Sequence, residues 1–325
     1  MVSGTPERRA GLLVVGAAVL WGTTGTAQAL GPDGASTIAV GAARNVVGAA
    51  VLVLVAAGRG RLVGARGLDR RPLLLAAAAT TAYQLTFFGG VRLAGVAIGT
   101  VVGVGSGPIW GGLLGWVGRR ERPSRRWAMA TTLALAGAAL LATGTGGDGD
   151  QVDGLGILLA LGAGLSYAAF TLWSKDLTDR HDPDLAMTWV FAVSAVMLAP
   201  LGLASGVGDL VSADGALMVV WLGVVSLAAA YLLFGRGIAG VTVATATTLT
   251  LAEPLTAATL GTVVLDEEMS AQTLAGMALV FAGLAALTVT LRRRATPRAS
   301  GPRRAPAGGG SPDGSGGGRG GQRLP

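Results

Sequence analysis

Residues 185–208 read LAMTWVFAVSAVMLAPLGLASGVG, and no charged residue lies between Asp184 and Asp209. A run of about 20 mainly apolar residues is long enough to cross a bilayer as a helix. The rest of the chain has the same character, because 51% of its 325 residues are hydrophobic and 13% are charged, with a mean hydropathy of +0.59. An ordinary soluble domain is about 25% charged, so the composition predicts an integral membrane protein.

Ten segments of the chain are apolar over a comparable length. Eight of them contain no charged residue, and the second and the ninth contain one each. Lipid cannot hydrogen-bond an open backbone, and unbroken apolar runs of this length favour helices over barrel strands. The ten predicted transmembrane helices are residues 11–30, 37–57, 73–91, 95–117, 127–143, 154–174, 185–204, 216–234, 241–264 and 272–291.

The basic residues are distributed unequally between the connections of these helices. Both termini and the connections on their side hold 23 of the 25 lysine and arginine residues, whereas the opposite side holds only Arg92 and nine acidic residues. Since basic connections stay in the cytoplasm, we expect a multi-pass protein of the cell (cytoplasmic) membrane with both termini inside. The basic residues behind the net charge of +7 then lie at one membrane face, so no nucleic-acid partner is predicted.

The chain repeats itself at an offset of 146 residues. The matching positions are Trp21 and Tyr167, Phe88-Gly89 and Phe234-Gly235, Pro108 and Pro254, Glu121 and Glu267, Ser124 and Ser270, and Gly137 and Gly283. Each copy contains five predicted helices, and an odd number makes the two copies insert with opposite orientations. Inverted repeats of this kind are typical of secondary transporters.

The repeat divides the chain into five predicted parts. They are a cytoplasmic N-terminus (1–10), a first five-helix repeat (11–143), an outer linker (144–153), a second five-helix repeat (154–291) and a cytoplasmic tail (292–325). The tail is rich in Arg, Gly and Pro, and ten of its last 25 residues are Gly. Such a composition cannot bury a core, so we expect the tail to be disordered.

Several short motifs resemble one transporter family. They are Trp21-Gly22 in the first predicted helix, Arg44 in the second, Pro108 in the fourth, Glu253-Pro254 in the ninth, and an acidic residue followed by Ser after each proline helix (Glu121 with Ser124, Glu267 with Ser270). Over residues 11–291 the chain is similar to the drug/metabolite transporter (DMT) superfamily and, within it, to the EamA-like ten-helix transporters. The resemblance implies secondary transport, often export, of small metabolites, amino acids or drugs.

Two charges lie inside predicted helices, where an ionisable residue is costly and is by default functional. Glu253 precedes Pro254, which frees the carbonyl of Thr250 four residues back. Glu253 is expected to bind a cationic group or to take a proton during turnover; the alternative is a neutral structural residue at a helix break. Arg44 could pair with Glu253, clamp a substrate carboxylate, or extend towards the outer surface.

Other residues of the apolar segments are candidates for contact with a substrate. Tyr83 and Gln84 are polar enough to line a cavity, although hydrogen bonds between helices are an alternative. Trp21 and Trp110 lie too deep in their helices for a simple interfacial belt, so we expect them at the cavity as well. The paired prolines Pro108 and Pro254 are candidate helix breaks for gating.

The fourth predicted helix carries glycines at a four-residue spacing, which places them on one face. They are Gly99, Gly103, Gly107, Gly111 and Gly115. Small residues allow another helix to approach closely, so this face is interpreted as a packing surface within the chain or in a homodimer. A smooth seam on which the two halves slide is the alternative.

The rest of the composition narrows the chemistry. The chain has no cysteine and only one histidine, His181, so no disulfide, Cys-ligated metal, multi-His site or Ser–His triad is expected. We therefore predict no cofactor or metal, and a small-molecule substrate and the lipid bilayer as partners. A secondary transporter, with proton coupling as one option, fits better than an enzyme; the alternatives are a channel or membrane scaffold and, less favoured, a membrane-embedded transferase.

Overall fold

The computed structural model describes residues 6–60, 67–94, 96–143, 153–265 and 270–294. All regular structure in these ranges is helical, as predicted, and none of it is a strand. The helices are α1 (Pro6–Ala29), α2 (Thr37–Gly58), α3 (Arg70–Ala94), α4 (Val96–Arg119), α5 (Arg125–Thr143), α6 (Gly154–Thr178), α7 (Pro183–Ala204), α8 (Ala213–Ile238, with a π-helical segment at Val224–Ala229), α9 (Val243–Leu249), α10 (Ala252–Val264) and α11 (Ala271–Arg294).

Six of these helices, α1, α2, α3, α6, α7 and α8, are long and apolar enough to cross a membrane. Several begin at a side chain that accepts hydrogen bonds from the otherwise unpaired N–H groups of the first turn. Ser36 caps α2, Asp153 caps α6, Asp182 caps α7 and Ser212 caps α8. Helix starts are thus set by polar residues between the apolar runs.

The predicted boundaries differ from the structure at both ends. α1 already begins at Pro6, and α11 continues to Arg294, past the predicted end at residue 291. The remaining tail and residues 144–152 of the predicted linker lie outside the described residues.

The ninth predicted helix is divided in the structure. Residues 241–264 were expected to form one span, but α9 ends at Leu249 and α10 begins at Ala252. The cause is Pro254, which has no N–H to donate to the carbonyl one turn back. That carbonyl, of Thr250, is not left open as expected, because it accepts the N–H of Glu253 at 2.9 Å.

The helix pairs of the structure are repeated at the 146-residue offset: when two helices pack together, their counterparts in the other half also pack together. α3 packs on α6, and its counterpart α8 packs on α1; likewise α4 packs on α6, and α10 packs on α1. In two further pairs, α2 with α7 and α5 with α11, each helix packs on its own counterpart from the other half. The first and second halves are therefore interleaved rather than separate.

Matching residues at the offset perform matching local tasks. Ser124 accepts the N–H of Trp127 at the start of α5, and Ser270 accepts the N–H of Thr273 at the start of α11. Gly137 on α5 and Gly283 on α11 each face the backbone of the other helix: an added Cβ would lie 2.6 Å from a backbone atom. The repeat in the sequence is thus also a repeat in local structure.

Candidate functional site

A cavity with about 1020 Å³ of empty space, counted out to its open mouth, lies between the two halves. Both halves contribute to its wall, the second through α6, α8 and the segment around the α9–α10 break. The lining residues are Trp21, Thr24, Gln28, Val40, Gly41, Arg44, Thr80, Tyr83, Gln84, Phe87, Phe88, Gly103, Val104, Tyr167, Phe170, Tyr231, Thr250 and Glu253. The wall combines aromatic rings with a few polar and charged groups, a composition typical of ligand-binding sites.

The cavity brings together most of the candidate residues of the sequence. Trp21, Arg44, Tyr83, Gln84, Thr250, Glu253 and the glycine Gly103 all line it. The prolines Pro108 and Pro254 are not among the lining residues, and neither is Trp110. Trp110 lies seven residues beyond Gly103 on α4, which places it about 10 Å further along the helix.

The two charges inside predicted helices line this cavity without forming an ion pair. The ion pairs between described residues include neither Arg44 nor Glu253. Three buried polar atoms of the lining residues have no hydrogen-bond partner among the described residues. They are Arg44 Nε, Trp21 Nε1 and Thr80 Oγ1. Buried polar atoms without a partner in the described part of the chain therefore belong to residues that line the same cavity.

Gly22 explains how Glu253 reaches this position. A Cβ at Gly22 would lie 2.8 Å from the carbonyl oxygen of Glu253 and 2.9 Å from Thr256 Cγ2. The absence of a side chain at this position thus lets α10 approach α1 closely. The adjacent Trp21 is buried and reaches the cavity.

Aromatic rings form much of the wall, and the chain's three tyrosines all take part. The centroid of Tyr231 lies 4.9 Å from that of Trp21, and Tyr83 is stacked with Phe87 at 5.5 Å. The hydroxyl of Tyr167 donates to Thr250 Oγ1 at 3.2 Å. The Thr250 hydroxyl in turn donates to the Thr247 carbonyl at 2.9 Å. Tyr167 thus contacts the helix break directly.

Sequence reasoning missed Tyr231 and treated Tyr167 only as the repeat counterpart of Trp21. A usable signal was present, because all three tyrosines of the chain lie within its apolar segments. A phenol hydroxyl is costly to bury without a polar neighbour. Tyrosines in a chain this apolar are therefore better candidates for a cavity than for a lipid-facing surface.

The glycine face of α4 contacts three different helices of the same chain. Gly99 lies against the backbone of α3 at Val91, Gly107 lies against Tyr167 of α6, and Gly111 lies against Thr247 of α9. The remaining two, Gly103 and Gly115, lie near Phe87 and near Glu121 and Val243, respectively. All five glycines are buried in the single chain.

We place the mouth of the cavity where α1 ends and α2 begins, because the lining residues closest to a helix end lie there. Gln28 lies one residue before the end of α1, and Val40 lies in the first turn of α2. From there the lining residues reach inwards to Trp21, Arg44 and Glu253. The charged part of the wall is therefore the deep part.

At the opposite end, ion pairs join the first half of the chain to the second. Arg119 on α4 contacts Asp176 and Asp179, at the end of α6. Arg119 also pairs with Glu121 at 2.9 Å, and the other carboxylate oxygen of Glu121 accepts the N–H of Val243 at 3.0 Å. We call Arg119, Glu121, Asp176 and Asp179 the Arg119 cluster.

Two further contacts lie at this end. Asp184 is buried and accepts hydrogen bonds from Arg59 at 3.0 Å and from Arg236 at 2.6 Å. Asp69 accepts from Arg180 at 2.9 Å, and this hydrogen bond lowers the pKa of the Asp69 carboxyl below its ordinary value. Asp69 therefore remains ionised at neutral pH, and this end of the bundle is closed by charged contacts.

Comparison with known proteins identifies the family of the chain and solved structures with a similar fold. The model of the EamA-like transporter family matches residues 8–143 and again residues 154–289. The chain is 38% identical to "Uncharacterized transporter YwfM" of Bacillus subtilis (strain 168) over 289 residues, which cover 89% of this chain and 97% of that protein. A solved structure described as "Crystal structure of protein" matches with a TM-score of 0.76 at 20% identity, over 88% of this chain and 98% of the other.

Proposed function

Since the chain belongs to the EamA-like transporter family and is a transporter rather than an enzyme, we propose that it moves a small metabolite, an amino acid or a drug across the cytoplasmic membrane by alternating access. The observation that carries the proposal is the cavity between the two halves, with Arg44 and Glu253 in its deep part. Sites at the interface of repeats are the expected location of substrate in secondary transporters.

The proposed topology has ten crossings with both termini in the cytoplasm. α9 and α10 together make the ninth crossing, since neither is long enough alone: 7 and 13 residues rise about 10 and 20 Å. The alternating distribution of arginine supports this orientation. It places the mouth of the cavity on the outside and the Arg119 cluster in the cytoplasm.

With this orientation, we interpret the arrangement of the cavity and the ion pairs as an outward-facing state. The Arg119 cluster and the Asp184 pairs act as the cytoplasmic gate, because they connect α2 and α4 of the first half to α6, α7 and α8 of the second. Opening towards the cytoplasm requires these contacts to separate while the outer ends of α1 and α2 close over the cavity.

We further propose export driven by proton entry, with Glu253 as the proton-binding group. Glu253 is the acidic residue of the cavity wall and has no ion-pair partner among the described residues. A carboxylate open to the outer mouth can bind a proton there and release it inside, while substrate moves in the other direction. Arg44 and the three tyrosines share the cavity and set the electrostatic environment of this carboxylate.

The experiment is flux in proteoliposomes containing the purified protein, with a panel of labelled metabolites, amino acids and drugs, with and without a pH gradient. We expect saturable, gradient-dependent flux of at least one solute. Glu253→Gln should reduce the gradient-dependent flux at least about tenfold, whereas Asp209→Asn, which removes an exposed carboxylate, should not. Flux that does not saturate would instead indicate a channel.

A second outcome of the same assay bears on the coupling alone. Flux could be saturable but equal with and without the pH gradient, and equal in the wild type and Glu253→Gln. That result would keep the proposal of a transporter and contradict proton coupling. Accessibility of tags at both ends of the chain tests the topology, since a tag that is reached from outside intact cells contradicts the ten-crossing arrangement.

A further inference from the structure

A second cleft lies on the side of α1 that faces away from the cavity, between α1, α8 and α10. On α1 the cavity is lined by Trp21, Thr24 and Gln28. With 3.6 residues per turn, the residues of α1 that line the cleft fall on the opposite face of the helix. We call this space the α1 cleft, and its lining residues are Thr23, Thr26, Ala27, Leu30, Asp214, Leu217, Met218, Trp221, Leu260 and Val264.

The α1 cleft runs along its helices and has its charged residue at one end. Asp214 lies in the first turn of α8, and Leu30 directly follows the last residue of α1. Trp221 and Thr23 each lie seven residues deeper, which is two turns or about 10 Å. Among the described residues that line the cleft, Asp214 alone is charged. A charge at the helix ends above a mainly apolar depth is the order of polarity in a phospholipid.

Hydrogen bonds at the deep end of the α1 cleft join its polar groups to the protein. Trp221 Nε1 donates to Thr23 Oγ1 at 3.2 Å, and Thr23 Oγ1 lies 3.0 Å from Ser226 Oγ in the π-helical segment. The Trp221 side chain is nevertheless 45% exposed. Because its N–H is bonded inside the protein, the exposed part of the indole is hydrocarbon. This tryptophan is therefore placed for contact with an apolar chain.

The matching junction of the other repeat is closed by charges. Arg119 contacts Asp176 there and joins α4 to α6. At the 146-residue offset, the corresponding residues of the second pair of helices are Leu265, directly after α10, and Leu30 of the cleft. Two leucines cannot form an ion pair. The protein thus leaves an apolar opening at the position where the repeat has a charged contact.

We propose that the α1 cleft binds a phospholipid of the outer leaflet with a primary amine in its headgroup, such as phosphatidylethanolamine. One acyl chain lies against Leu217, Trp221 and Leu260, and the ammonium group of the headgroup lies at Asp214. The leaflet follows from the topology proposed above. The site is separate from the cavity assigned to the transported solute.

The charges near the cleft select the headgroup. Asp214 has no ion-pair partner in the described part of the chain, and its side of the proposed topology carries nine acidic residues against one basic residue, Arg92. An ammonium group donates hydrogen bonds to a carboxylate. A quaternary choline group has no N–H to donate, and a phosphatidylglycerol headgroup brings a net negative charge towards the same carboxylate.

The test measures which lipid the delipidated full-length protein retains in native mass spectrometry. The protein is incubated in detergent with an equimolar mixture of dioleoyl phosphatidylethanolamine, phosphatidylcholine and phosphatidylglycerol, which share their acyl chains and differ in the headgroup. We expect the first bound lipid to be phosphatidylethanolamine about threefold or more often than either of the others, the size of preference that one exposed ion pair supplies.

Two variants test the two ends of the site. Asp214→Asn should abolish the headgroup preference while lipid is still retained, and Val264→Trp, which fills the cleft from α10, should lower retention of the first lipid several-fold. The matched controls are Asp209→Asn and Val263→Trp, which change an exposed acid and an exposed valine outside the cleft lining. Both controls should behave as the wild type.

Equal retention of the three lipids by the wild type would overturn the inference, and so would a preference for phosphatidylglycerol. The inference also fails if Val263→Trp lowers retention as much as Val264→Trp, since the lipid would then bind outside the cleft. None of these measurements depends on flux. The lipid site and the proposed transport function are therefore tested separately.

Discussion

Tyr167 connects the pseudo-symmetric centre of the protein to the break between α9 and α10. Its ring meets the ring of its repeat counterpart Trp21 edge-on, at 6.4 Å and 88° between planes. Its hydroxyl donates to Thr250 Oγ1, at the break. A single side chain thus contacts helices from both halves and holds the conformation of the backbone that precedes Glu253.

We predict that Tyr167→Phe lowers stability and transport together. The ring contact with Trp21 remains, but the hydrogen bond to Thr250 is lost, which costs about 0.5–1.5 kcal/mol. Thermal unfolding of the protein in detergent should show a lower Tm, and flux should fall several-fold. The control is Tyr231→Phe, which should keep the wild-type Tm; equal melting temperatures for Tyr167→Phe and wild type would contradict the prediction.

The sequence identified Arg44 and Glu253 because a charge inside an apolar run is visible without a structure. Their position in one cavity without an ion pair was not predictable, since it depends on how α2 and α10 are arranged around α1. The same holds for Trp110, whose depth in its segment suggested the cavity but whose place along α4 is beyond its lining. A charge in an apolar run is readable from sequence, but the position of a residue relative to a cavity formed by several helices is not.

At the scale of helices, α5 and α11 form a contact that is nearly symmetric. Gly137 faces the backbone around Gly276 and Val280, and Gly283 faces the backbone around Ala130 and Ala134. Backbone atoms cannot move aside as the end of a flexible side chain can. The close approach of the two helices therefore depends on both glycines.

We predict that Gly137→Ala and Gly283→Ala each destabilise the protein by about 1–3 kcal/mol, because the added methyl group overpacks this contact. Gly25→Ala is the matched control on α1, where a Cβ meets nothing within 4 Å and alanine favours the helix. Folded yield and Tm after purification measure the effect. Wild-type values for both variants would show that α5 and α11 are not held by these glycines.

The location of most helices could be predicted because their ends coincide with charges and capping residues such as Asp182 and Ser212. The break after Leu249 could be anticipated from Pro254. The hydrogen bonding at the break could not be anticipated, since the carbonyl of Thr250 accepts the N–H of Glu253. Packing partners were also not predictable: helices that are apolar on all sides give no periodic signal for the face turned inwards.

At the scale of the whole molecule, the charged contacts lie at one end and the open cavity at the other. This arrangement predicts that the Arg119 cluster controls access from the cytoplasm. Ser174 offers a probe position, because it is fully buried and lies seven residues, or two turns, beyond Tyr167 on the same face of α6. The chain has no cysteine, so Ser174→Cys introduces a unique thiol.

We predict that Arg119→Gln increases maleimide labelling of Ser174→Cys from the cytoplasmic side several-fold. Each partly exposed ion pair contributes about 0–1 kcal/mol, and the substitution removes contacts with three carboxylates. Arg126→Gln, a change at an exposed arginine, should leave the labelling rate unchanged. Equal rates with and without Arg119 would show that this cluster does not close the cytoplasmic side.

The break between α9 and α10 has no counterpart at the matching residues 103–106, where α4 continues as one helix through Pro108. If the two halves were identical, exchanging their conformations would turn the molecule to face the other side at no change in free energy. The broken helix removes that equivalence. We therefore expect the empty protein to have a preferred resting orientation that is a property of its own sequence and persists without any gradient across the membrane.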